Sequence, residues 1–177
     1  MTQTMNKIDI STVSDENLSA EIGRILKAND KTVSSAESCT GGEIAHLITL
    51  VSGASEYYYG SVVSYAIAVK ENVLNVSPEV INQYGVVSSQ VASAMAEGVR
   101  KLIGTDFAVA TTGLAGTEGD GVNPGGTVWI GVASKNRTKT FKFQYKNDRE
   151  HTIKKFAYTA LRFLFEFINE ELNSRLP

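Results

Sequence analysis

Thr32-Val33-Ser34-Ser35-Ala36 runs straight into Glu37-Ser38-Cys39-Thr40-Gly41-Gly42, after which Ile44, Ala45, Leu47 and Ile48 recur at helical spacing. The first five residues read as a short strand and the last four as the apolar stripe of a helix, so the polar stretch between them is a strand-to-helix junction. Two features make that junction a candidate reaction site. Gly41 and Gly42 lack Cβ atoms and let a ligand approach the backbone, and the N–H groups at a helix start are free to hold an anion. Ser38 and Cys39 place a hydroxyl and a thiol at that point.

The same alternation continues outward. Leu18, Ile22, Ile25 and Leu26 predict a helix over 15–28 ahead of the junction strand, and 61–66 (Ser-Val-Val-Ser-Tyr-Ala) reads as a second strand with Lys70 just beyond it. Ser77-Pro78 is a helix start that Gly85 ends. A helix opening at 86–89 then carries Val91, Ala92, Met95, Val99, Leu102 and Ile103 on one stripe. The apolar run 107–111 predicts a strand buried on both faces. Residues 127–133 and 138–145 form a hairpin, and a last helix over 147–172 has an apolar arc wider than a one-sided helix needs, which leaves room for a subunit contact besides packing on the sheet. Strands alternating with helices and closing on a hairpin predict an α/β fold, a three-layer α/β/α sandwich with a mixed sheet. Ligand sites in such sheets gather at the C-terminal ends of strands, where Ser38 and Thr112 both fall.

Composition narrows the function. The 177 residues, 42% hydrophobic and 20% charged, fit one domain over 15–177 behind a polar, flexible arm at 1–14. Lys and Arg number 17 against 19 Asp and Glu, and no segment concentrates the basic residues, which argues against a nucleic-acid partner. Neither a signal-peptide core nor a membrane-length apolar run occurs, so the expected location is the cytoplasm with no membrane partner. One cysteine excludes an internal disulfide and a cysteine-based metal cage.

A serine nucleophile needs a base within hydrogen-bonding reach. His46 lies about two turns down the helix from Ser38, and His151 stands in no motif, so a Ser-His-Asp triad is disfavoured. Lysine is the better base, because burial can bring its amine toward neutrality. Lys70 and Tyr65 sit in a nearly apolar segment that would supply the desolvation. Cys39 is the rival nucleophile, since a helix start lowers a thiol pKa, although a buried inert thiol is the plainer reading. Glu37 is either a base or a group that orients another. The stretch 111–126 is too rich in glycine for regular structure and offers N–H groups to a phosphate, while Arg149 either helps cap the last helix or reaches that phosphate.

Taken in order, Ala36-Glu37-Ser38-Cys39-Thr40-Gly41-Gly42, Val63-Ser64-Tyr65 with Lys70, Tyr84-Gly85-Val86-Val87-Ser88, Thr112-Gly113-Leu114-Ala115-Gly116 and Gly126-Thr127-Val128-Trp129-Ile130-Gly131 resemble the CinA C-terminal domain family. The resemblance runs from about Leu18 to Phe167. It implies a nicotinamide-nucleotide amidohydrolase that turns nicotinamide mononucleotide into nicotinate mononucleotide and ammonia without cofactor or metal. Ser38 would be the nucleophile, Lys70 with Tyr65 would activate it, and backbone N–H groups of 39–42 would hold the oxyanion. The nucleotide substrate would be contacted by Glu37, Cys39, Thr40, Gly41, Gly42, Thr112, Gly113, Ala115, Gly116 and Arg149. A homodimer or higher oligomer is expected.

Two departures stand out. Relatives commonly have proline after the Gly-Leu-Ala-Gly run, where this chain has Thr117 followed by Glu118 and Asp120, and negative charge there opposes a phosphate. Many relatives also carry a further N-terminal domain, for which this chain is too short, so the stand-alone form is expected. The competing readings are a non-catalytic binding module in competence or DNA-damage responses and an amidase for another small amide.

Overall fold

The computed structural model describes residues 13–174. The flexible arm expected at 1–14 lies outside them except for its last two residues. Val13 packs against the core, and its carbonyl accepts a 2.9 Å hydrogen bond from Arg162 Nη2.

Five strands form one mixed sheet in the order β2-β1-β3-β4-β5, with β1 at Val33–Glu37, β2 at Tyr58–Val63, β3 at Phe107–Gly113, β4 at Thr127–Ala133 and β5 at Thr138–Gln144. β1 runs parallel to both β2 and β3, whereas β3, β4 and β5 pair antiparallel. The helices are α1 (Leu18–Ala28), α2 (Glu43–Thr49), α3 (Ile67–Asn72), α4 (Pro78–Tyr84), α5 (Ser89–Ile103) and α6 (Arg149–Asn173).

Side-chain alternation along β3 sorts the layers. Phe107 and Val109 join the core beneath α1, α2 and α6, while Ala108 and Ala110 face α5. The α5 side is lined by Ala36, Ala108, Ala110 and Ala133, and at Gly131 an added Cβ would lie 2.3 Å from the Ala92 carbonyl oxygen. Small residues on the sheet let that single helix sit close enough to cover it. The wide arc of α6 is buried within this chain: Phe156, Ala157, Ala160, Leu161, Leu164, Phe165, Phe167 and Ile168 pack among the sheet, α1 and α2. The arc therefore needs no second subunit to cover it.

Three expectations are corrected. The second strand covers Tyr58–Val63 instead of 61–66, because Gly60, at φ 143°, hosts an irregularity that sets Tyr58 opposite Val33 and Gly60 opposite Ser34. The strand stops where β1 stops; Ser64 still donates its N–H to Glu37 O at 2.8 Å, and Tyr65 and Ala66 are exposed beyond it. Lys70 consequently sits inside α3, since a short apolar run does not separate strand from helix by its periodicity. Leu102, placed on the buried stripe of α5, is 54% exposed, whereas its neighbour Ile103 packs against the core.

The connection leaving β1 passes through α2 on one face, and the one entering β3 passes through α5 on the other. The C-terminal ends of β1 and β3 thus meet at a topological switch point, the place where ligand sites form in such sheets. Close packing behind it is testable at Gly98, where a Cβ would fall 2.1 Å from the Leu74 carbonyl oxygen. Gly98→Ala is expected to lower unfolding stability by about 1–3 kcal/mol through overpacking, read from the urea midpoint at unchanged slope.

Candidate active site

The loop between β1 and α2 is built around one buried carboxylate. Glu37 ends β1 fully buried, and its Oε2 accepts from the Thr40 hydroxyl at 2.7 Å and from the N–H groups of Gly42 and Ile44 at 3.0 Å, while Oε1 accepts from the Ala45 N–H at 2.8 Å. The Thr40 hydroxyl has a single proton, which goes to Glu37, so the Thr111 hydroxyl 2.8 Å away donates to it. Gly41 and Gly42 take φ of 63° and 109°, left-handed backbone that allows the chain to turn this tightly. Ser38 is held at the turn by its N–H donating to Thr111 O at 3.0 Å.

Lys70 reaches Ser38 from α3. Its Nζ lies 2.9 Å from Ser38 Oγ and 2.5 Å from the Ser64 carbonyl oxygen, and its side chain is fully buried. Desolvation pushes the amine below the ordinary lysine value, opposed by the nearby Cys39 sulfur. That opposition requires a thiolate. Burial pushes the Cys39 thiol up to about 12, so it stays protonated and uncharged at neutral pH. A buried amine at hydrogen-bond distance from a serine hydroxyl can take its proton and leave an alkoxide-like nucleophile.

Desolvation does not come from the apolar segment itself, as the sequence suggested. Val63, Tyr65 and Ile67 are exposed, whereas Ser64 and Lys70 are fully buried. The Ser64 carbonyl is the site group that sequence reasoning missed. A main-chain oxygen leaves no compositional signal, so nothing in the sequence pointed to this contact.

Several expected contacts are placed differently. Tyr65 is 63% exposed and its hydroxyl accepts a 2.9 Å hydrogen bond from Arg149 Nη2; it bonds to neither Ser38 nor Lys70. Glu37 cannot touch a substrate, being buried with both oxygens engaged. Cys39 and Thr40 are buried as side chains, and Cys39 is no rival nucleophile. The N–H groups of the α2 start, expected to hold an anion, already belong to Glu37. Thr112 is buried and donates to Val86 O at 2.8 Å, Ala115 is buried, and Gly113 abuts Thr127 and Val128 of β4, which leaves Gly116 open among that group. Asp120 faces its own loop, accepting from the N–H groups of Val122 and Asn123, and Asn123 Nδ2 donates to Val87 O at 3.2 Å. Its charge is thus committed to the loop, and those bonds hold its carboxyl below the usual range. His46 is exposed on α2, and His151 Nδ1 lies 2.6 Å from Asp148 Oδ2, whose Oδ1 caps α6.

The Cys39 environment makes a clear prediction. Iodoacetamide at pH 8 is expected to leave Cys39 unmodified in the native protein and to alkylate it fully after denaturation, as read by intact mass.

A family model described as the CinA C-terminal domain matches residues 15–168. A CinA-like protein of Salinibacter ruber is 47% identical over 154 residues, which cover 86% of this chain and 37% of that protein. The chain spans little more than a third of the length of such curated relatives. A protein of Enterobacter agglomerans named nicotinamide-nucleotide amidohydrolase PncC is 45% identical over 154 residues, covering 85% of this chain and 94% of the relative. The crystal structure of a competence-damaged protein (CinA) superfamily member from Klebsiella pneumoniae superposes with a TM-score of 0.85 at 29% identity, covering 89% of this chain and 99% of that one. With the mixed α/β sheet and the ordered motifs in place, the chain belongs to the CinA C-terminal domain family.

Proposed function

We propose that this chain is an amidohydrolase that converts nicotinamide mononucleotide to nicotinate mononucleotide and ammonia through a Ser38 nucleophile activated by Lys70. The observation that carries the reading is the 2.9 Å approach of the buried Lys70 amine to Ser38 Oγ. The activity named for the Enterobacter agglomerans relative, which matches this chain across nearly its whole length, supports the choice of amide.

The reaction runs in two halves. Lys70 accepts the hydroxyl proton as Ser38 Oγ bonds to the carboxamide carbon. The resulting tetrahedral intermediate collapses, the C–N bond breaks, and the Lys70 ammonium returns its proton to the departing nitrogen, so that ammonia leaves. Water then gives a proton to the freed amine and attacks the acyl-enzyme, and cleavage of the ester returns the proton to Ser38. The Ser64 carbonyl keeps the amine aimed throughout. Exposed Val63 and Tyr65 offer apolar surface to a pyridine ring, with Val63 Cγ2 3.8 Å from where a Gly42 Cβ would stand. Arg149 is exposed and, among the described residues, bonded only to the Tyr65 hydroxyl, so its positive charge meets no carboxylate there and suits the ribose phosphate.

The test is ammonia release by the purified protein from nicotinamide mononucleotide, with nicotinamide and glutamine as comparison amides. Turnover of the nucleotide alone is expected. Equal turnover of either comparison amide overturns the nucleotide assignment, and no turnover of any overturns the amidase reading. Ser38→Ala and Lys70→Met are each expected to lower kcat by at least about 10²-fold. Arg149→Ala is expected to raise KM while leaving kcat nearly unchanged, because a remote phosphate contact serves ground state and transition state alike.

The pH dependence follows from the Lys70 amine. The neutral form is the active one, so kcat/KM is expected to rise with pH through a midpoint below the ordinary lysine value and to lose activity on the acid side. The stability linkage has the same direction. The folded state binds the Lys70 proton less tightly than the unfolded chain, so unfolding free energy gained from this group increases as pH rises from the lowered midpoint toward the unfolded lysine value.

A further inference from the structure

From Ser38 to His46 the backbone N–H groups can be assigned one by one. Ser38 donates to Thr111 O, Gly41 to Ser38 O, Glu43 to Thr40 O and His46 to Gly42 O. Gly42, Ile44 and Ala45 donate to Glu37. Among the described residues this leaves Thr40 without an acceptor for its N–H, and Cys39 with only its own sulfur, a weak acceptor that is readily exchanged. Both N–H groups follow Ser38 directly, where an oxygen on the attacked carbon would come to lie if the nucleophile is approached as in other strand-to-helix serine sites.

We infer that the oxyanion site of this protein consists of the Cys39 and Thr40 N–H groups alone, and that Glu37 is the positioning residue that creates it. The carboxylate removes the competing donors at the α2 start and ties down the Thr40 side chain. The peptide units of Cys39 and Thr40 are thereby fixed between two anchored points, Glu37 and Gly42. Donors fixed in this way need no reorganisation when charge develops, which is the condition for strong electrostatic stabilisation. Gly41 and Gly42 serve the turn and hold no charge.

This inference rests on Ser38 being the nucleophile, and the test separates the two. A fluorophosphonate carries its own leaving group and is independent of which amide the protein hydrolyses. Ser38 Oγ bonds to phosphorus, the P–F bond breaks, fluoride departs, and Lys70 takes the hydroxyl proton. The phosphoryl oxygen of the adduct then occupies the position of the oxyanion. In the ¹⁵N-labelled wild-type protein, the amide protons of Cys39 and Thr40 are expected to move strongly downfield on adduct formation while those of Gly41, Gly42 and Ile44 hold still. Movement of the Gly41 and Gly42 amides instead overturns the inference and leaves the nucleophile intact. Absence of any adduct at Ser38 overturns the nucleophile assignment itself.

Glu37→Gln supplies the second arm. An amide keeps one acceptor oxygen and puts N–H groups where the other accepted, so at least one α2 donor, the Ala45 N–H if the amide oxygen takes the Oε2 position, is released and the turn relaxes. Labelling of Ser38 is expected to slow by about 10²-fold, comparable to loss of an oxyanion donor, with the pH midpoint of labelling unchanged because the Lys70 contacts are untouched. Labelling at the wild-type rate, or a shifted midpoint at full maximal rate, overturns the positioning role. If the variant does not fold, the wild-type amide shifts decide the question alone.

Discussion

A buried carboxylate without hydrogen bonds is among the costliest groups a protein can hold, and Glu37 is tolerated because the loop that follows it supplies four donors. That requirement shapes the site. To bring Thr40, Gly42, Ile44 and Ala45 to one carboxylate, the chain must turn sharply at the glycines and start α2 directly above the end of β1. Ser38 is carried to the outside of that turn. The placement of Ser38 is therefore a by-product of satisfying the acid next to it.

Lys70 answers a related constraint from the other side. Its amine is buried where a charge is disfavoured, and the two oxygens it meets, Ser38 Oγ and Ser64 O, are both neutral. Low polarity at this point lowers the amine's hold on its proton below that of an ordinary lysine. It also keeps the Cys39 thiol protonated, so the same environment withholds the intrinsically better sulfur nucleophile. Glu37 and Lys70 lie on opposite sides of Ser38 along the chain, and each is made compatible with burial by backbone groups instead of by the other's charge.

The glycine-rich stretch shows how much a loop's composition conceals. It reads as a flexible cradle, yet Asp120 binds its own turn, Asn123 is pinned to Val87, and Gly125 packs where a Cβ would lie 2.3 Å from the Thr117 oxygen. Several of its glycines permit close packing of backbone on backbone, and the segment is largely preformed. The acidic residues that counted against a phosphate are one part of that internal bonding in the case of Asp120 and an exposed side chain in the case of Glu118.

Most of the layered fold was legible because hydrophobic period, Ser-Pro and Gly punctuation are local signals: α1, α4, β3 and the β4–β5 hairpin fall close to where the pattern put them. Ser38 and Lys70 could also be singled out as candidates from residue type and from the family resemblance, and the structure brings them to 2.9 Å of each other. The second strand and Lys70 were misplaced because an apolar run of four to six residues has no distinguishing period, and because the Gly60 irregularity exists only when β1 is alongside. The rest was decided by tertiary structure. The partners of Tyr65, Arg149, Glu37 and Thr112, and the N–H groups left over for an oxyanion, depend on main-chain atoms brought together from distant segments. Every residue but proline carries the same main-chain donor and acceptor, so no sequence can say in advance which of them will remain unpaired.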